Sequence, residues 1–401
     1  MSLHAWGSVN QPGLYSTICR KSGVQPLNAN HFPNQLPNEA LALACKNLLD
    51  NTNFTPIFDA ILIDEGQDLI VDDNLKFEGR QPFYWMAYQA LRPVDSNLPE
   101  QRRLIWAYDE AQSLNSLVIP TSKEVLGTEL SQLIGGRGGA FYEGRIRKAH
   151  IIRRSYRCPG TILMAAHAIG MGLLRPNGLL AGFTNQRDWL RIGYEVTGDF
   201  RKPGSTITLH RPVENSPNPV YTLWDAEVLE FQTYNSRQAE LEQLVVKIKS
   251  NIFDEKLKPS RNILVIVLGD IQLQEKTATY LKNCGIDFYL PTAPKNNTLL
   301  NNNTSFPNKF WNEGGITVSR IHRSKGHEAN IVYILGLDNI ARNESSITLR
   351  NQLFVALTRT RGWAYLSGIG NYPMYEEIRR VIESKTTVNF TFQKPKLDVS
   401  E

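Results

Sequence analysis

The sequence predicts an α/β fold with parallel sheets, and two patterns carry that expectation. Short, wholly apolar runs end in polar or acidic residues, and longer helical patterns lie between them. Continuous apolar runs are what strands buried on both faces look like, as in parallel sheets. Their alternation with helices points to the same class. The runs are Ile61 to Ile63 before Asp64, Leu104 to Trp106 before Tyr108-Asp109, Ile263 to Leu268 before Gly269-Asp270, Ile316 to Val318, and Ile331 to Leu335. Helices are expected over Asn38 to Asp50, Gln81 to Leu91, Ser155 to Leu174, Ser236 to Ile252, Ile271 to Cys284, Arg350 to Arg361 and Tyr375 to Ser384.

Length and composition bound the rest. At 401 residues and about 150 residues per domain, two or three domains are expected. Hydrophobic residues are 41% and charged residues 21%, an ordinary globular composition. The net charge of +5 permits a nucleic-acid partner without requiring one. Cys19, Cys45, Cys158 and Cys284 lie far apart with no C-x-x-C pair, so reduced thiols and a cytoplasmic location are expected. The apolar stretch from Thr161 to Leu174 carries His167 and is shorter than the roughly 20 residues of a membrane span. Asn177 to Pro219 is rich in Gly, Pro and Asn and reads as a domain boundary or small insert. Lys295 to Gly315 reads as a long surface loop.

Five segments carry candidate chemistry. Phe58 to Asp68 is a buried strand ending in acids, and Asp64-Glu65 at its end suits a Mg²⁺ ligand beside a water-positioning group. Tyr108 to Ser113 follows a second buried strand and includes Gln112. Ile152 to Pro159 gathers Arg153, Arg154 and Arg157 around Tyr156, forks for phosphate beside a face for a base. Ile316 to Glu328 is a strand followed by a basic turn suited to a phosphate backbone. Val355 to Arg361 continues a helical pattern with Phe354, Leu357 and Arg361 on one face and Arg359 on another. Taken singly, each has an ordinary alternative, such as a solvated strand end, a surface arginine or a core tyrosine.

In this order the segments resemble the motifs of superfamily 1 helicases of the UvrD/Rep type. Asp64 to Asp68 resembles motif II, Tyr108 to Ser113 motif III, Ser155-Tyr156-Arg157 motif IV, His322 to Glu328 motif V, and Val355 to Arg359 motif VI. His4-Ala5-Trp6 is similar to the short "T-x-H-x-W/F" motif that precedes motif II. The resemblance runs from about residue 4 to about 370. It implies two RecA-like domains that hold ATP and Mg²⁺ between them and move along single-stranded or partly duplex DNA. It assigns Mg²⁺ to Asp64 and water activation to Glu65. Gln112, Arg157 and Arg359 would surround the γ-phosphate, Arg359 as an arginine finger. Tyr156 would stack on adenine, while Gly326 and Glu328 would belong to the nucleotide site, Glu328 at the ribose. His4, Trp6, His322, Arg323 and Lys325 would lie on the DNA track. The implied domains are a partial first RecA-like domain over 1–160, an inserted subdomain or linker over 161–219, and a second RecA-like domain over 220–401.

The chain also departs from that pattern. It contains no G-x-x-x-x-G-K-[ST] run, and its one dense glycine cluster, Gly135 to Gly139, lacks the Lys-Ser/Thr pair and the preceding strand. Such a P-loop is expected from upstream sequence, or else from another chain. A helicase-like binding module that does not hydrolyse ATP is the alternative. Gly66 and Arg320 stand where the family often has a larger residue and Thr, and His327 and Ala329 replace apolar partners in motif V.

Overall fold

The computed structural model describes residues 1–7, 12–53, 55–109, 120–131, 133, 141–223, 227–291, 297–299 and 309–398. Two compact units emerge, Met1–His150 and Ile151–Glu401. No helix among the described residues is long and apolar enough to cross a membrane.

In the first unit, strands β1 (Ile61–Ile63) and β2 (Leu104–Trp106) pair in parallel, Ile61 with Leu104 and Ile63 with Trp106. Ile61 and Ile63 face a core shared with the helices Leu14–Lys21, Pro37–Asn51 and Pro82–Gln89. Two of those helices begin where the sequence favours it, with Pro37 and Pro82 in the first turn, where a missing N–H costs nothing. The opposite face of the pair carries Leu62 and Ile105, register partners that are 68% and 55% exposed. Parallel sheets are normally covered on both faces, so this apolar face is uncovered among the described residues.

The second unit begins with β3 (Ala181–Gly182), β4 (Glu195–Thr197) and β5 (Thr206–His210), and continues through β6 (Leu229–Tyr234), β7 (Ile263–Val267) and β8 (Phe288–Tyr289). There follow β9 (Ile316–Arg320), β10 (Ala329–Leu335), β11 (Thr360–Ile369), β12 (Thr387–Thr391) and β13 (Leu397–Asp398). Six of these form one all-parallel sheet in the order β6-β11-β10-β7-β9-β8. All five residues of β7 are fully buried. Each such aliphatic side chain contributes about 1.5–3 kcal/mol on burial. An acid at Val265 would therefore break the sheet at its middle.

The long helices start on residues whose side chains accept a first-turn N–H. Ser236 caps Arg237–Lys249, Asp270 caps Ile271–Asn283 and Ser346 caps Ile347–Leu357. Two of the sequence expectations shift. The helix expected from Ser155 begins at Gly160, because Pro159 sits at its N-cap and the preceding residues are non-helical. The helix expected over Arg350 to Arg361 spans Ile347–Leu357, so Arg359 and Arg361 leave it and Arg361 lies on β11. The glycine cluster at 135–139, and 296 and 301–303 of the expected surface loop, lie outside the described residues.

The unit boundary falls at 150/151, so the Tyr156-Arg157 segment belongs to the second unit. Residues 161–219 belong to it as well. Helix Gly160–Met171 packs on helix Ile347–Leu357. Strand β5 lies between β4 and β12, and β3 pairs with β13, which stitches this stretch to the end of the chain.

Candidate functional site

In the first unit, the site residues follow β1. Asp64 is exposed, and its Oδ1 accepts from the Glu65 backbone N–H at 3.0 Å. Glu65 takes left-handed backbone (φ 54°), turning the chain sharply off the strand. Gln67 then ties the turn together. Its Nε2 donates to Glu65 Oε2 at 2.6 Å, and its Oε1 accepts from the Asp109 N–H at 3.1 Å. The Gly66 N–H donates to the Ala107 carbonyl at 2.8 Å. The ends of β1 and β2 are thereby locked to each other, with Gln67 as the buried clamp. Gly66 is small for a reason: a Cβ there would overlap the Tyr84 hydroxyl and approach the Ala107 carbonyl at 3.2 Å.

The chemistry at Asp64 fits Mg²⁺, a hard cation that keeps several waters and takes one or two carboxylates plus phosphate oxygens. Among the described residues no group of three or more His, Cys, Asp or Glu could hold a metal ion by itself. Gln112 lies outside the described residues. His4 is exposed, and its Nδ1 accepts from the Trp6 and Gly7 backbone N–H groups at 3.3 and 3.2 Å, which puts its ring proton on Nε2. Trp6 turns its indole N–H inward to the Leu27 carbonyl at 2.8 Å and packs edge-on to Tyr15.

The second unit brings together residues that the sequence separates. Arg157 Nε donates to Glu328 Oε2 at 2.5 Å, and Arg361 Nη1 donates to Glu328 Oε1 at 3.4 Å. One carboxylate thus holds two guanidiniums, one on each oxygen. Asn330 Oδ1 accepts from Arg361 Nε and Nη2 at 3.2 and 3.0 Å. The backbones are fixed from beneath. Asn218 Nδ2 donates to the carbonyls of Arg157 and Arg361 at 2.5 and 2.7 Å, and the buried Cys158 thiol donates to the carbonyls of Thr358 and Thr360.

Arg359 is only 1% exposed. Its Nε donates to the Val355 carbonyl at 3.0 Å and its Nη2 to Thr358 Oγ1 at 3.2 Å. It therefore caps the helix Ile347–Leu357 at the end where cations are favoured. Burial pushes the Cys158 thiol up to about 11, although Arg157 and Arg359 oppose the shift. Burial, with Arg323 and Arg359 nearby, holds His327 down to about 4. The His327 ring stacks on Phe310 at 3.7 Å. Tyr156 is 69% exposed, a ring face open to solvent.

Beyond β9, the short helix Ile321–Ser324 carries His322 and Arg323, both exposed, and Lys325 follows half-buried. Gly326 turns the chain at φ 79°, with nothing near where a side chain would stand. A cavity of about 240 Å³ at the C-terminal ends of β7 and β9 is lined by Gly269, Arg320, His322, Asn339 and Gln352, among others. Arg320 Nε is buried there with no hydrogen-bond partner among the described residues.

Of the expected residues in this unit, Arg157 and Glu328 are in contact, and Arg359 lies within electrostatic reach of Cys158 beside them. Sequence reasoning missed the roles of Arg361, Asn330, Asn218, Cys158 and Gln67.

A parallel α/β unit, with arginines gathered around a carboxylate where its strands begin, is the class this geometry defines. Residues 315–367 match the family model of the UvrD-like helicase C-terminal domain. The match runs from β9 into β11 and contains Gly326, Glu328, Arg359 and Arg361. Among solved structures, the C-terminal domain of a possible DNA helicase from Lactobacillus plantarum WCFS1 is similar at 16% identity. That similarity covers 39% of this chain and 84% of that one, with a TM-score of 0.29. No curated protein matches the chain.

Proposed function

We propose that this chain is the greater part of a UvrD-like helicase or translocase, coupling ATP hydrolysis to movement on single-stranded or partly duplex DNA. The observation that supports it most is the pairing of Arg157 and Arg361 with Glu328 inside and beside the matched stretch. Planar guanidinium forks in that arrangement suit a polyphosphate. In this reading a triphosphate competes with Glu328 for Arg157, and the released carboxylate turns to the ribose beside Gly326. Tyr156 stacks on the base.

Asp64 would hold Mg²⁺, which neutralises charge on the phosphates, and Glu65 would take the proton of the attacking water. Gln112 and Arg359 would complete the γ-phosphate contacts. His4, Trp6, His322, Arg323 and Lys325 would follow the DNA. The P-loop comes from outside these 401 residues, upstream or from another chain, and would cover the Leu62/Ile105 face. The chain alone hydrolyses ATP negligibly. Four free cysteines fit a cytoplasmic setting.

A second reading has one observation in its favour. Arg359 is almost wholly buried and Arg157 is already neutralised by Glu328, as in a helicase-like module that binds DNA or a partner without ATP. Binding of a fluorescent ATP analogue to the natural gene product separates the two. Arg157→Gln and Tyr156→Ala should each weaken it about tenfold. Unchanged affinity in both would favour the second reading.

A further inference from the structure

We propose that the hairpin Phe141 to Lys148 is a single-stranded nucleic-acid contact outside all the helicase-like motifs. The inference rests on the proposed function for its ligand class, and on the hairpin's own chemistry for its place. The turn is tight and preset. Tyr142 N–H donates to the Ile146 carbonyl at 2.7 Å, Phe141 bridges Arg147 in antiparallel fashion, and Gly144 and Arg145 both take positive φ, at 78° and 62°. Pairing of this kind sets Tyr142, Ile146 and Lys148 on one face of the ribbon and Phe141 and Arg147 on the other.

Each face therefore holds an aromatic ring with its own cation. Lys148 Nζ lies 5.3 Å from the Tyr142 ring centre, and the Arg147 guanidinium lies 6.0 Å from that of Phe141. Lys148 is further anchored by donating to the Leu133 carbonyl at 2.7 Å. Tyr142 and Ile146 are nevertheless 61% and 65% exposed, and Phe141, Arg145 and Arg147 are exposed too. Exposed rings and an aliphatic gathered at one loop tip form the kind of apolar patch that marks an interaction site. Charge says with what. The hairpin's residues 141–148 hold three cations, Arg145, Arg147 and Lys148, and one acid, Glu143, a net positive tip. A polyanion with flat apolar faces matches a ring and a cation side by side, and single-stranded nucleic acid is such a polyanion. A duplex hides its base faces and would use the cations alone.

The test uses the full 401-residue chain and fluorescein-labelled oligothymidylate, with anisotropy titrations across a range of salt. The triple variant Arg145→Gln/Arg147→Gln/Lys148→Gln should weaken binding at least tenfold. It should also flatten the log–log salt slope by about 2, since each phosphate contact to a single strand contributes about 0.7. Tyr142→Ala should weaken binding about tenfold with the salt slope unchanged, and Tyr142→Phe should restore it. Circular dichroism confirms that the variants fold. If these variants bind like the unaltered chain while Arg323→Gln/Lys325→Gln loses affinity, the hairpin inference fails and the proposed function stands. If the unaltered chain does not bind oligothymidylate, both fail. Equal loss on blunt duplex and on oligothymidylate would also overturn the single-strand assignment.

Discussion

Arg157 and Glu328, 171 positions apart in the sequence, meet Nε to Oε2 at 2.5 Å, and Arg361 takes the second oxygen of the same carboxylate. The pair joins the segment before helix Gly160–Met171 to the residue before β10. Its partners are about two-fifths exposed, so its value to folding is small, and the proposed function gives its main value to a ligand.

That distinction can be measured. Glu328→Gln should change stability by less than about 1 kcal/mol, as for other solvent-exposed ion pairs. Asn218→Ala should cost about 1–3 kcal/mol, because it leaves the Arg157 and Arg361 carbonyls without the donor they share. Urea unfolding of the two variants decides the order. A larger loss in Glu328→Gln would make the ion pair a structural element rather than a poised site.

A second prediction concerns Gly66. Gly66→Ala should destabilise the first unit by about 1–3 kcal/mol, the usual cost of forcing extra volume into a packed site. The obstacle is the Tyr84 hydroxyl, which is buried without a hydrogen-bond partner among the described residues. Tyr84→Phe should therefore be neutral or stabilising, and Gly66→Ala placed in that background should cost much less. Additive effects in the double variant would show that the clash lies elsewhere.

The third prediction concerns pH. Burial holds His167 down to about 3 and His327 down to about 4, while both titrate near 6.5 when the chain unfolds. Protons then bind the unfolded chain preferentially. Stability is complete above about pH 6.5 and falls as pH drops through 6.5 toward 4 and then 3. Thermal unfolding between pH 7.5 and 4.5 should show the fall, and the double variant His167→Gln/His327→Gln should show less of it. Equal slopes would remove both histidines from the account.

The central strands were legible in the sequence because each is a continuous aliphatic run, β7 above all. Strand β11 was not, because its buried and half-buried residues alternate and it opens on Thr-Arg, which reads as the tail of the preceding helix. What ends that helix is local capping joined to one long-range bond. Arg359 and Thr358 both bond to the Val355 carbonyl, and Ala329 takes the Arg359 carbonyl to start the β10–β11 pairing. Arg157, Glu328 and Arg359 could be named as site candidates because the ordered motifs that hold them resemble a known family. Asn218 and Cys158 could not, since each acts only where two chain segments 61 to 202 positions apart meet.

The most direct test of the central claim is DNA-stimulated ATP hydrolysis by the product of the natural gene, compared with its Glu65→Gln variant and with the 401-residue chain alone. Turnover should rise on adding single-stranded DNA and be lost in Glu65→Gln, with negligible turnover from the chain alone. Turnover by the 401-residue chain that disappears in Glu65→Gln would contradict the need for an outside P-loop, and a natural product that binds DNA without any ATP turnover would contradict the motor itself.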